Sequence, residues 1–177
     1  MARLRKENGT RFKEEPMKGK PVSASASEMA EVVLPAQTNA LGKLLGGHVM
    51  HMVDIVAAMA ACRHSNSYMV TASVDYLDFR FPIHLGEWIV LRSQVNRVFT
   101  TSMEVGVKVY AENVMTGERR HTSSAYLTFV ALDMDQKAHP VRPLILETPE
   151  DQRRWEDAGE RRRVRLHMRN KRPLEDI

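Results

Sequence analysis

Val49, Met50, Val53, Val56, Ala57, Ala60 and Ala61 recur at steps of three and four, the repeat that lines one face of an α-helix. The run opens at Gly46 and Gly47, and few of its flanking positions are strongly polar, so it predicts a helix buried nearly all round. Beyond it the period changes. Segments 69–79, 87–98, 102–112 and 119–132 are rich in Val, Thr, Tyr and Phe and alternate over long stretches, as strands do. A shorter strand-like run, MAEVVL, precedes the helix and closes at Pro35. Turn chemistry separates these segments: the polar stretch 63–67, Pro82 and Gly86 in FPIHLGE, residues 99–101, and Gly117 in MTGE. Such short links join antiparallel neighbours.

One strand, one buried helix and four antiparallel strands share a single core only if the sheet curls around the helix. The predicted class is therefore α+β with a hot-dog fold: a long central helix wrapped by a curved antiparallel sheet of about five strands, plus a C-terminal helix. That last helix is expected from 148 to about 170, with Glu150 and Asp151 in its first turn and arginines toward its end, the charge order a helix dipole favours. Three regions follow. Residues 1–26 are polar and end in SASAS, which predicts a flexible arm; 27–147 form the folded domain; 148–177 form a basic helix and tail.

Length and composition narrow the classes. A chain of 177 residues suits one domain. No apolar run reaches the roughly 20 residues of a membrane helix, because His51 and Asp54 interrupt the longest. The basic start is followed by KGKPVSASASE rather than an apolar stretch, unlike a secretory signal. Cys62, the single cysteine, falls in MAAC and is expected to be a buried, inert thiol. These features point to a cytoplasmic protein. The charge is uneven: 153–172 hold eight Arg and one Lys. A nucleic acid would use such a stretch for phosphate contacts. Trp155 is its one aromatic residue, however, so there is no stacking series. A solvated helix or an oligomer contact is the preferred reading, and nucleic acid is not an expected partner.

The candidate chemistry begins at Asp54. A carboxylate inside an apolar helix either finds partners or has its pKa raised; a local pairing with His51 is the structural alternative. Gly46 and Gly47 stand at the helix start, where free N–H groups meet the positive end of the dipole, although plain turn chemistry also explains them. His48 and His64 are candidate bases whose surface reading is favoured. Arg80, His84 and Arg97 are candidates for nucleotide phosphates, and Phe79 and the turn hydroxyls of Thr100, Thr101 and Ser102 for other parts of a substrate. No His, Cys and carboxylate spacing suggests a metal, and no cofactor is expected.

Five stretches carry a family resemblance: PAQTNALGKLLGGHVMHMVD from Pro35, AACRHS from Ala60, VTASVDYLDFRFPIHLGE from Val70, TSMEVGVKVYAE from Thr101 and SAYLTFVALD from Ser124. Together with LILETPEDQRRWE in the tail, they resemble the acyl-CoA thioesterases of the hot-dog superfamily, the group that includes brain-type acyl-CoA hydrolases and bacterial relatives. The resemblance implies that Asn39, in the turn before the helix, and Asp54 act together across a subunit or domain interface. It also implies an acyl-CoA substrate lying in a groove between subunits, and a homo-oligomer, at least a dimer and often a trimer of dimers. Gln37 departs from the Asp or Ser frequent at its position.

Geometry adds a constraint. Asp54 is seven residues beyond Gly47, roughly 10 Å along a helix, so one thioester carbon cannot lie about 3 Å from both in one chain. The expected site takes Asn39 and the helix start from one subunit and Asp54 from another, with two central helices side by side and antiparallel. Thioester hydrolysis needs an activated water and donors for the carbonyl oxygen. The expected function is hydrolysis of fatty acyl-CoA to free fatty acid and CoA. Asp54 would activate water, Asn39 orient water or thioester, and the Gly46 and Gly47 N–H groups polarise the carbonyl. A hot-dog dehydratase or hydratase, and a noncatalytic acyl-CoA- or RNA-binding regulator, are the alternatives.

Overall fold

The structure is a computed structural model that describes residues 17–171. Its centre is helix α1, Gly46–Ser65. Strands β1 (Lys20–Pro21) and β2 (Ser27–Val32) precede it. Strands β3 (Tyr68–Leu77), β4 (Trp88–Val98), β5 (Ser102–Glu112), β6 (Arg119–Leu132) and β7 (Leu144–Ile145) follow, and helix α2, Pro149–Lys171, comes last. Five strands form one antiparallel sheet in the order β2-β4-β5-β6-β3, and β1 pairs with β7 in parallel. The hot-dog fold holds.

The inner face of α1 fills the concave side of the sheet. Val53, Val56, Ala57, Ala60 and Ala61 are buried against Ile89, Leu91 and Val95 of β4 and Met103, Val105, Val107 and Val109 of β5. The alanines bring sheet and helix close enough for the Ser93 hydroxyl to donate to the Val56 carbonyl at 2.7 Å. The polar stretch after Ala61 continues the helix to Ser65 instead of turning at once. Asn66 then stops it with a left-handed φ of 56°, a conformation Asn tolerates.

The expectation that α1 is buried nearly all round is corrected. Within one chain its outer face shows Met50 at 52% and Ile55 at 38% exposure, with His51 exposed and Asp54 half-buried. Beside that face runs the free edge strand β3, where Tyr68 is 68%, Val70 44% and Val74 54% exposed. An unpaired edge next to an apolar helix face is an association surface.

One boundary reading also changes. Of the expected 1–26 arm, positions 1–16 lie outside the described residues, but 20–25 are part of the fold. Val22 and Ser25 are buried, and the Ser25 hydroxyl accepts the Val95 N–H at 3.0 Å. Small residues in SASAS permit this close packing instead of disorder.

The basic helix α2 is held on the convex face of the sheet by its own arginines and by those beneath it. Arg97 of β4 stacks on Trp155 with its guanidinium carbon 3.5 Å from the ring centroid, and donates to the Trp155 carbonyl at 3.1 Å. Arg161 lies 3.7 Å from the Tyr126 ring centroid and forks onto Glu104 at 2.7 and 3.1 Å. A Cβ at Gly159 would collide with Arg97, so glycine is what lets the helix come this near. Among the described residues, no helix is long and apolar enough to cross a membrane.

Candidate active site

The loop before α1 is shaped by its polar side chains. Asn39 Oδ1 accepts the Leu41 N–H at 2.9 Å and the Lys43 N–H at 3.2 Å, while the Asn39 carbonyl accepts the Gly42 N–H at 2.9 Å. Gly42 takes a φ of 67° there, a value that favours glycine. The oxygen of Asn39 is thereby committed to its own turn. Its Nδ2 remains as the donor, on an exposed residue. Gln37 anchors the other end of the loop, its carbonyl accepting the Leu45 N–H at 3.0 Å.

Helix α1 then begins without a side-chain cap. His48 and Val49 direct their N–H groups to the Leu45 carbonyl, whereas those of Gly46 and Gly47 have no acceptor among the described residues, as expected for the first turn of a helix. Asn39, Lys43, Gly46, Phe79, Arg80, Thr122 and Ser123 line one cleft of about 380 Å³. The Phe79 ring covers the helix start, 3.5 Å from where a Gly46 Cβ would stand. The Arg80 backbone N–H donates to the Thr122 carbonyl at 3.1 Å, tying this wall to β6. Lys43 and Arg80 make the cleft cationic, and Asp78 lies 3.4 Å from the Arg80 guanidinium.

Asp54 does not line this cleft. It sits two turns further along, on the outer face of α1, where its Oδ1 accepts the Thr71 hydroxyl at 2.7 Å. The partner is therefore a strand threonine and not His51. One carboxylate oxygen is oriented by Thr71, which leaves Oδ2 to take a proton.

The other candidates lie apart. His48 is 3.7 Å from the Glu31 carboxylate, outside the cleft lining. The exposed His84 pairs through its backbone with Lys43, and its N–H donates to Glu87 at 2.7 Å. Arg97 supports α2. Thr100 and Thr101 form the β4–β5 turn and Ser102 opens β5; Ser123 of the cleft lies opposite Val109, seven residues along β5 from Ser102, roughly 23 Å. His64 is fully buried, its Nε2 3.1 Å from the Arg142 carbonyl, which corrects the surface reading. Cys62 is exposed rather than buried; it lies on the outer flank of α1, and partial burial still pushes its thiol up, away from a nucleophilic thiolate. Sequence reasoning missed Thr71 and Lys43. A threonine in a strand carries no signal of its own, and Lys43 looked like loop polarity.

The family model of the thioesterase superfamily matches residues 41–118. A Bacillus subtilis protein described as an uncharacterized acyl-CoA thioester hydrolase, YkhA, is 44% identical over 119 residues, which are 67% of this chain and 69% of that one. The chain belongs to the hot-dog acyl-CoA thioesterases. It spans about a quarter of the length of the mouse acyl-CoA thioesterases it also matches. A solved apo-hexameric acyl-CoA thioesterase superposes on this thioesterase fold with a TM-score of 0.84 at 38% identity, covering 88% of this chain and 100% of that one. A Staphylococcus aureus acyl-CoA hydrolase, solved with butyryl-CoA, CoA and CoA disulfide, superposes with a TM-score of 0.81 at 32% identity, covering 86% and 93%. Alanine variants of that enzyme have been solved at an Asp, an Asn and a Thr. The spacing of those three positions along its chain equals that of Asn39, Asp54 and Thr71 here.

Proposed function

We propose that the protein hydrolyses fatty acyl-CoA to free fatty acid and CoA in a site assembled from two copies of the chain. Asp54 of one copy, oriented by Thr71, takes the proton of the attacking water. The Asn39 Nδ2 of the neighbouring copy holds that water or the thioester, and the Gly46 and Gly47 N–H groups receive the developing oxyanion. The observation that carries this reading is the division of the parts. Asn39 and the helix start share a cleft, while Asp54 stands on a different surface, next to exposed Ile55 on α1 and hydrogen-bonded to Thr71 of the free edge strand β3. A two-fold pairing through the outer face of α1 and the β3 edge covers that apolar surface and brings each Asp54 toward the helix start of the other copy. The matching Asn, Asp and Thr intervals in the S. aureus enzyme support the same three residues, and the hexameric relative supports assembly into a trimer of dimers.

The chemistry balances without another group. Water adds to the thioester carbon as its proton passes to the Asp54 carboxylate, and collapse of the tetrahedral adduct expels the CoA thiolate, which receives that proton. Positioned general-base catalysis contributes about 10²–10⁴-fold, so Asp54→Asn should lower the kcat of thiol release by at least about a hundredfold, with KM changed far less. Wild-type-like turnover in a folded Asp54→Asn protein would falsify the assignment.

A further inference from the structure

Six arginines stand on α2 between 153 and 165, and five of them reach carboxylates. Arg153 and Arg154 pair with Glu150, Arg161 with Glu104, Arg163 with Glu160 and Arg165 with Asp75. Arg162 makes no ion pair among the described residues. Its guanidinium carbon lies 4.0 Å from the centroid of the Phe99 ring, and that of Arg97 lies 5.5 Å from the same centroid. Arg97 also has no carboxylate partner among the described residues, and its buried Nε–H has no acceptor. Two cations thus share one ring without a counter-charge.

The local field agrees with this imbalance. Burial, and then the charges of Arg165 and Arg97, hold the Arg162 guanidinium below its ordinary range, with no carboxylate opposing them. An arrangement of half-buried like charges costs free energy when empty and is relieved by an anion. Planar guanidinium groups favour the oxygens of phosphate. Phe99 also opens the β4–β5 turn, whose next residues, Thr100, Thr101 and Ser102, add hydroxyls.

We propose that Arg162, backed by Arg97, binds a phosphate-type anion over the Phe99 ring at the β4–β5 turn. Two sources share this chemistry. One is the nucleotide end of CoA. The cleft of the same chain lies at the far end of β4, so this CoA would be seated in a neighbouring copy; that source rests on the two-copy site proposed above. The other is a free phosphate compound unconnected with the thioester.

Titration calorimetry on the assembled full-length protein separates them, using CoA, 3′-dephospho-CoA and inorganic pyrophosphate as probes. Arg162→Gln is the test variant, with Arg162→Lys as partial rescue and Arg163→Gln, which breaks an exposed pair, as control. The expected result is that Arg162→Gln weakens CoA or pyrophosphate about tenfold while Arg163→Gln leaves both unchanged. Weakening of CoA but not of dephospho-CoA assigns the 3′-phosphate, equal weakening of both assigns the diphosphate, and weakening of pyrophosphate alone assigns a free anion. If Arg162→Gln leaves all three affinities within twofold of wild type, or if none of the probes binds the wild type, the proposal is overturned. No hydrolysis is measured, so its failure leaves the Asp54 assignment standing, and an inactive Asp54 variant leaves this site intact.

Discussion

Thr71 offers a sharp test of how Asp54 is held. Replacing it by Val keeps the shape and the β-branching that suits a strand, and removes one hydroxyl that donates to Asp54 Oδ1 at 2.7 Å. A hydrogen bond to a charged group contributes about 1.5–3 kcal/mol. Thr71 is exposed within one chain, which places the effect toward the lower end. A barrier change of about 1.4 kcal/mol is tenfold in rate. Thr71→Val should therefore lower kcat for thiol release by roughly tenfold, with KM within about twofold of wild type. The thermal midpoint should barely change, because no buried apolar group is lost. Thr71→Ser, which retains the donor, should recover most of the rate. If Thr71→Val turns over at the wild-type rate, or if Thr71→Ser is as slow as Thr71→Val, the hydroxyl does not orient Asp54 for the proposed role.

Other expectations follow from the packing. Glu104 is fully buried and takes donors from both Arg161 and Asn96; Glu104→Gln strands a partly buried guanidinium and should cost about 3 kcal/mol in urea unfolding. Burial, aided by the charges of Lys20 and Arg142, holds the His64 imidazole below its ordinary 6.5, against the pull of the Arg142 carbonyl. The unfolded chain then protonates first as the pH drops, so stability should be full above about 6.5 and fall as the pH descends from there toward the folded-state value. Urea midpoints measured from pH 8 to 5 check this, and His64→Leu should flatten the slope. A Cβ at Gly47 meets nothing within 4 Å in the chain, so Gly47→Ala should leave the chain stable; by crowding a donor at the helix start, it should reduce kcat at least about tenfold.

Much of the fold was legible because periodicity reports burial. The strands at 102–112 and 119–132 are observed with those bounds, and the small and apolar side chains of α1 mark its inner face. What periodicity does not report is which apolar face stays uncovered in one chain, hence the error over Met50 and Ile55. Buried serines look like low complexity, and the long-range contact that ties Ser25 into the core, a hydrogen bond from the Val95 N–H, comes from far along the chain. The docking of α2 was hidden for a similar reason. Its mean composition is that of a solvated helix, and Arg97 meets Trp155 from 58 residues away. At the candidate site, Asn39, Gly46, Phe79 and Arg80 come together as one wall. Asp54 stands apart at the distance its helical spacing requires. Arg97 and the β4–β5 turn were grouped with them on residue type alone, which carries no information about position in space.

The central claim is that one active site draws on two chains, and subunit mixing tests it most directly. Asn39→Ala and Asp54→Ala chains are each expected to be inactive alone. They are unfolded together and refolded at equal concentration, with mixed oligomers verified by differently tagged subunits. In a mixed dimer, one of the two sites then combines an intact Asn39 with an intact Asp54. The account predicts that thiol release from acyl-CoA returns to an appreciable fraction of the wild-type rate. Verified mixed oligomers that remain as inactive as either parent would contradict it.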